Sequence, residues 1–199
     1  MKKSNIILGT AQLINGYGIN KSKISDNELK KILFHAEKNH IKYIDTAYEY
    51  KNVHKRLGKQ NLNAFKIITK IPQIKSIQTD DIYNEIIKII EHSLYQLNIK
   101  KIDTILIHNL EDLENINKIS LIINALSKLK KERFINKIGL SIYSPKIFEN
   151  LKELSDIDVV QSPLNLIDQR LIDSGLLNRL VNEKIEINVR SIFLQGLLL

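Results

Sequence analysis

Tyr43-Ile44-Asp45-Thr46-Ala47-Tyr48-Glu49-Tyr50 closes a short apolar approach, Ile41 to Ile44, with a carboxylate, and a phenol follows five positions later. Read as a strand and the loop after it, the stretch puts Asp45 and Tyr50 at one mouth. The same pattern recurs along the chain. Ile6-Ile7-Leu8 runs into Gly9-Thr10, Phe65 to Ile68 into Thr69-Lys70, and Ile102 to Ile107 into His108-Asn109. Ile138-Gly139-Leu140 then stops at Ser141, Val159-Val160 leads to Gln161, and Ile185 to Val189 leads to Arg190-Ser191.

Between these runs the apolar spacing changes to that of helices. Ser25-Asp26-Asn27-Glu28 matches a capping box, with Leu29, Ile32, Leu33 and Ala36 at helical spacing behind it. A short helix is expected over Val53 to Leu57, ended by Gly58, and a long one opens at Asp80 or Asp81 with a stripe of Ile82, Ile86, Ile89, Ile90, Leu94 and Leu97. Further helices are expected over Ile116 to Leu129, Pro145 to Leu154 and Leu176 to Val181. Parallel neighbours need long crossovers, so strands alternating with amphipathic helices imply a parallel sheet, either doubly wound or closed into a barrel. The polar strand ends favour the barrel, because a (β/α)8 barrel gathers all its carboxyl ends on one face. No Gly-x-Gly-x-x-Gly turn follows any strand, which lowers the dinucleotide-fold reading.

At 199 residues a single domain is expected over 1–199. No apolar run approaches the roughly 20 residues that span a bilayer, and Ile6-Ile7-Leu8 is too short for a signal peptide. A cytoplasmic protein is expected, with no membrane partner. The absence of cysteine excludes a disulfide framework and a thiolate metal site, and the histidines lack metal-ligand spacing, so no metal is expected. The net charge of +8 comes from lysines spread along the whole chain. That describes a solvated surface, and no nucleic-acid partner is expected, although a positive field favours an anionic ligand such as a phosphate.

In a barrel, Asp45, Tyr50, Lys70 and His108 come within reach of one another. A phenol with an ordinary pKa of about 10 is a poor proton donor or acceptor near neutrality, and an ammonium beside it would lower that value. Asp45 would hold Lys70 charged and oriented, and a neutral His108 could donate a hydrogen bond to a substrate carbonyl. Singly, each has a plain structural reading: a turn residue, a surface charge, a satisfied imidazole. Tyr48 reads as packing.

Asp45-Thr46-Ala47-Tyr48-Glu49-Tyr50 with Leu57-Gly58, Thr69-Lys70, Ile102 to Asn109, Lys137 to Ser141, Gln161 to Asn165 and Arg190 to Gly196, in that order, resemble the aldo-keto reductase superfamily over essentially the whole chain. The resemblance implies an NADPH-dependent barrel oxidoreductase that reduces the carbonyl of a small aldehyde or ketone, with NAD as the competing cofactor. In that scheme Tyr50 is the general acid, Lys70 and Asp45 tune it, and His108 orients the substrate. Ser141 and Gln161 would hold the nicotinamide carboxamide. Ser191 and the residues after it, Phe193 among them, would approach the pyrophosphate, and Thr10 would lie near the cofactor. Three positions depart from the pattern: Lys51 and His54 replace a Gly and a Glu, Ile142 stands where many relatives have Asn, and Arg190 replaces an aromatic ring against the nicotinamide. A guanidinium can stack on a planar ring in its place.

The fold type usually takes about 250 residues and eight strands, whereas here the seventh strand is followed closely by Gly196-Leu197-Leu198-Leu199. An incomplete barrel is therefore expected, lacking its C-terminal part and open to self-association through unpaired edges. The alternative is a truncated, non-catalytic barrel, or one that binds a nucleotide or partner without turnover.

Overall fold

The computed structural model describes residues 6–14, 16–18, 23–74, 79–108, 116–149 and 156–198. Its strands are β1 (Ile7–Gly9), β2 (Tyr43–Asp45), β3 (Lys66–Ile71), β4 (Ile102–Ile107), β5 (Ile135–Ser141), β6 (Val159–Pro163) and β7 (Glu186–Arg190). They form one sheet in sequence order, every neighbouring pair parallel. The helices are α1 (Asp26–Lys38), α2 (Val53–Gly58), α3 (Thr79–Leu97), α4 (Ile116–Lys131), α5 (Arg170–Asp173) and α6 (Leu176–Asn182). Residues of β1 and β7 line the same cavity, so the sheet is curled into an open barrel of seven strands. A full barrel of this type has eight, and among the described residues the outer edges of β1 and β7 have no strand partner.

Alternation along the strands sorts side chains between the barrel interior and the helix-facing side. Ile68, Leu106 and Val159, with Ile7 and Tyr43 against them, make a small apolar layer inside the barrel. Two residues earlier on three strands, Lys66, Thr104 and Lys137 form a polar floor, where Lys137 pairs with Glu186 of β7. Two residues later come Lys70, His108, Ser141 and Gln161, so the layer of candidate site residues is the next step of the same alternation. Outside, Ile86, Ile90, Ile105, Leu126 and Ile138 belong to the main core between β3–β6 and the helices. Leu29, Leu33, Ile44, Val53 and Leu57 form a second core under α1 and α2.

Local chemistry explains several element bounds. The Ser25 hydroxyl accepts from the Glu28 amide at 3.2 Å, and the Glu28 carboxylate accepts from the Ser25 amide at 2.7 Å. That is the capping box read from the sequence. Arg56 of α2 ties this end of α1 down by pairing with Asp26 and donating to the carbonyls of Leu13 and Ile24. Gly58 is the last residue of α2, as read from the sequence, without left-handed backbone. A Cβ there would stand 2.1 Å from the Gln96 carbonyl, so glycine is required for α2 to approach α3.

Other bounds differ from expectation. Strand β3 continues through Thr69 and Lys70 to Ile71, because pairing with β4 extends to Ile107. Gln161 likewise sits mid-strand in β6. In place of an α-helix from Pro145, a 3-10 helix spans Pro145–Glu149, and the rest of that expected helix lies outside the described residues, as does Asn109.

Candidate active site

Strand β2 ends at Asp45, but its hydrogen bonding to β3 does not. The Thr46 amide donates to Ile68 and the Tyr48 amide to Lys70, at 2.9 and 3.1 Å. This carries the loop along β3 before it turns, with the Tyr50 amide donating to Ala47 and the Val53 amide to Tyr50. Tyr50 is thereby returned over the barrel mouth. Lys70 Nζ donates to Asp45 Oδ1 at 2.6 Å and to the Thr46 carbonyl at 2.9 Å. Only 2% of the Lys70 side chain and 16% of that of Asp45 are exposed, so the pair is substantially desolvated. The ammonium lies 5.7 Å from the centre of the Tyr50 ring, and the Tyr50 and His108 rings meet edge-on at 6.1 Å.

These four side chains share one cavity of about 450 Å3 with Thr10, Ser141, Gln161, Arg190, Ser191 and Phe193. The structure thus brings together at one mouth all ten residues singled out from the sequence. Their local engagements differ. Thr10 is committed to β2, its amide and hydroxyl both donating to the Asp45 carbonyl at 3.0 and 2.9 Å. Gln161 Nε2 donates to Asp45 Oδ1 at 3.2 Å, while the Ser141 hydroxyl is a long 3.5 Å from Gln161 Oε1. Ser191 has left-handed backbone, φ 59°, and Asn165 Nδ2 donates to its carbonyl at 3.1 Å. Phe193 is 55% exposed on the cavity rim.

Electrostatics alter two expectations. Lys70 was expected to lower the Tyr50 pKa, but burial, followed by the Asp45 charge, pushes it well above the ordinary phenol range. Burial also lowers the pKa of Lys70, against the pull of Asp45. His108 is held below its usual range, first by burial and then by Lys70, with Glu49 opposing both. His108 Nδ1 lies 2.9 Å from Glu49 Oε2. A carboxylate only accepts, so Nδ1 carries the proton. Neutral His108 then offers a lone pair at Nε2, and it can donate from that nitrogen only as imidazolium.

Sequence reading missed three residues here. Asn188, central in β7 and buried, lines the cavity with its Nδ2 unpartnered. Its neighbour in register is Gln161, and the alternation that selects Gln161 would have selected it. Glu49 could not be found this way, because its contact with His108 spans 59 positions. Tyr143, in the loop after β5, stacks on Arg190 with the guanidinium carbon 4.2 Å from the ring centre. Among the described residues no cluster of His, Asp and Glu is suited to a metal ion, and no helix is long and apolar enough to cross a membrane.

The family model of the aldo/keto reductase family matches residues 5–199. The chain belongs to the aldo/keto reductase family. Solved structures agree on the fold. A Pseudomonas aeruginosa protein assigned to the aldo-keto reductases superposes with a TM-score of 0.72 at 23% identity, covering 93% of this chain and 72% of its own. The holo form of a Bacillus halodurans aldo-keto reductase gives 0.73 at 20% identity, covering 96% and 62%. A Klebsiella pneumoniae aldo-keto reductase in complex with NADPH gives 0.75 at 18%, covering 96% and 64%. This chain therefore spans between three-fifths and three-quarters of the length of these relatives. No curated protein sequence matches it.

Proposed function

We propose that this aldo/keto reductase chain reduces the carbonyl of a small aldehyde or ketone at the expense of NADPH, with Tyr50 as the proton donor. The observation that carries the reading is the desolvated Asp45–Lys70 pair beside Tyr50, in the same cavity as an unpartnered amide donor on Asn188. Ser141, Gln161 and Asn188 offer hydroxyl and amide groups, the donor and acceptor set that a nicotinamide carboxamide needs. Ser191 and Phe193 supply the outer wall, with Arg190 between the two groups.

Reduced nicotinamide, when bound, supplies the hydride to the carbonyl carbon. The protein's part is the proton. As the C=O electron pair moves onto oxygen, Tyr50 Oη releases its proton to that oxygen and completes the alcohol. The phenolate left behind lies beside the Lys70 ammonium, which Asp45 and the Thr46 carbonyl keep in place. His108 fills the side of the cavity next to Tyr50 and limits how the carbonyl can approach.

The test measures NADPH oxidation with a panel of aldehydes and ketones, and NADPH binding by calorimetry, for wild type and Tyr50→Phe. Loss of about a hundredfold or more in reduction is expected, the scale of one general acid, with nucleotide binding retained. Wild-type turnover by Tyr50→Phe, or monodisperse protein that binds no nicotinamide nucleotide, sinks the proposal. NADH in the same assay resolves the cofactor. Binding without reduction of any carbonyl would support the competing reading, nucleotide binding without turnover.

A further inference from the structure

Arg190, which the family resemblance sets against the nicotinamide, also brings to the cavity a charge with no carboxylate partner among the described residues. It ends β7, and its guanidinium is drawn toward β5, where Nη2 donates to the Ile142 carbonyl at 3.1 Å and the plane lies against Tyr143. Nη1 donates to the Ser191 hydroxyl at 3.3 Å. Both partners are neutral. Among the described residues no carboxylate pairs with Arg190, and the Asp168 carboxylate, near enough to feel its charge, is bonded through both oxygens to Arg170 at 2.8 Å. A guanidinium has five N–H donors, so this one retains unused donors and an uncompensated charge. That charge is felt at both Tyr50 and Lys70.

An arginine fixed by stacking and one carbonyl bond is preorganised to take a carboxylate or phosphate through paired N–H···O bonds. We infer that Arg190, held by Tyr143 and the Ile142 carbonyl, selects carbonyl substrates that carry an anionic group, a carboxylate or phosphate, on the side away from the reacting carbon. The inference rests on the carbonyl-reductase reading. Asp45 compensates Lys70 directly, which leaves Arg190 as the cavity's available cation. Tyr143 gives the guanidinium an apolar face and thereby limits its adaptation to neutral substrates.

The experiment compares kcat/KM for 3-carboxybenzaldehyde with that for benzaldehyde, in wild type and in Arg190→Met, whose unbranched side chain keeps much of the stem volume. Both aldehydes use the same cofactor, so any effect on NADPH binding cancels in the ratio. Wild type should prefer the carboxylated aldehyde by about tenfold or more, the factor one charge-assisted hydrogen bond carries, and Arg190→Met should lose that preference. A wild-type ratio near unity, or one unchanged in Arg190→Met, overturns the inference while leaving the reductase reading intact. If neither aldehyde is reduced, the anion site is read by binding instead, and the reductase reading stands or falls by the carbonyl panel. Calorimetry with benzoate then decides the anion site: binding that Arg190→Met abolishes supports it, and no binding, or binding indifferent to Arg190, overturns it.

Discussion

Replacing His54 with Gln should flatten the acid dependence of this fold's stability. His54 is 5% exposed, and its Nε2 meets the Thr69 hydroxyl at 3.0 Å. Burial first, then the charges of His92 and Lys70, drives its pKa from 6.5 to about 4. Between those values the unfolded chain binds a proton that the folded chain refuses. Stability therefore rises with pH through that window, and is lost as pH falls through 6.5 toward the folded value. At 1.36 kcal/mol per unit, the shift corresponds to about 3 kcal/mol, against a typical total of roughly 5–15 kcal/mol. Glutamine can keep the bond to Thr69 without titrating. The chain has no tryptophan, so urea unfolding is best followed by far-UV circular dichroism, from about pH 7 down to about pH 4. The difference in unfolding free energy between wild type and His54→Gln should move against wild type by about 3 kcal/mol across that range. Carboxylates that also titrate there act on both proteins and cancel. A constant difference would refute the assignment of this buried histidine as neutral.

Gly139→Ala should cost stability by crowding the neighbouring strands β4 and β6. Its Cβ would meet the Val159 carbonyl at 2.4 Å and Leu106 Cδ2 at 2.6 Å, and overpacking of this kind costs about 1–3 kcal/mol. A urea midpoint equal to wild type would show that the interior layer is loosely filled. Glu49→Gln should shift the His108 titration to lower pH, because the carboxylate supports the imidazolium against burial and Lys70. Imidazole proton shifts followed by NMR report this directly, and an unmoved titration would mean that the Glu49 contact does not persist in solution.

The architecture was legible because a parallel barrel repeats one instruction: an apolar run, a polar residue where the run reaches the mouth, an amphipathic helix back. Asp45, Lys70, His108, Ser141 and Gln161 were each found by that rule. Strand length was less legible. In β3, Thr69 points to the helix side, where it bonds His54, so a polar residue that seemed to end the strand was an outward position within it. Gly58 marks the end of α2 as read, but the close approach to α3 that also requires glycine there depends on the position of α3. Glu49 and the Arg190–Tyr143 stack were beyond sequence reading, since each depends on loops whose separation along the chain carries no periodicity.

The electrostatics of Tyr50 bear on how the proposed proton transfer would be driven. A lysine near a tyrosine suggests a phenol acidified at rest, yet burial, and after it the charge of the Asp45 carboxylate that lies on Lys70, pushes the Tyr50 pKa up. In the proposed mechanism the carboxylate therefore serves to position Lys70 rather than to acidify the resting phenol. Two of the three ammonium donors of Lys70 go to Asp45 and Thr46, which leaves one free on a group fixed beside the ring. A phenol that stays protonated at rest is what a proton donor requires. The carbonyl oxygen becomes strongly basic only as hydride arrives, and the donor need not be acidic before then. In the proposed transfer the charge appearing on Tyr50 would meet an ammonium already oriented, which is where fixed dipoles and charges lower a barrier most.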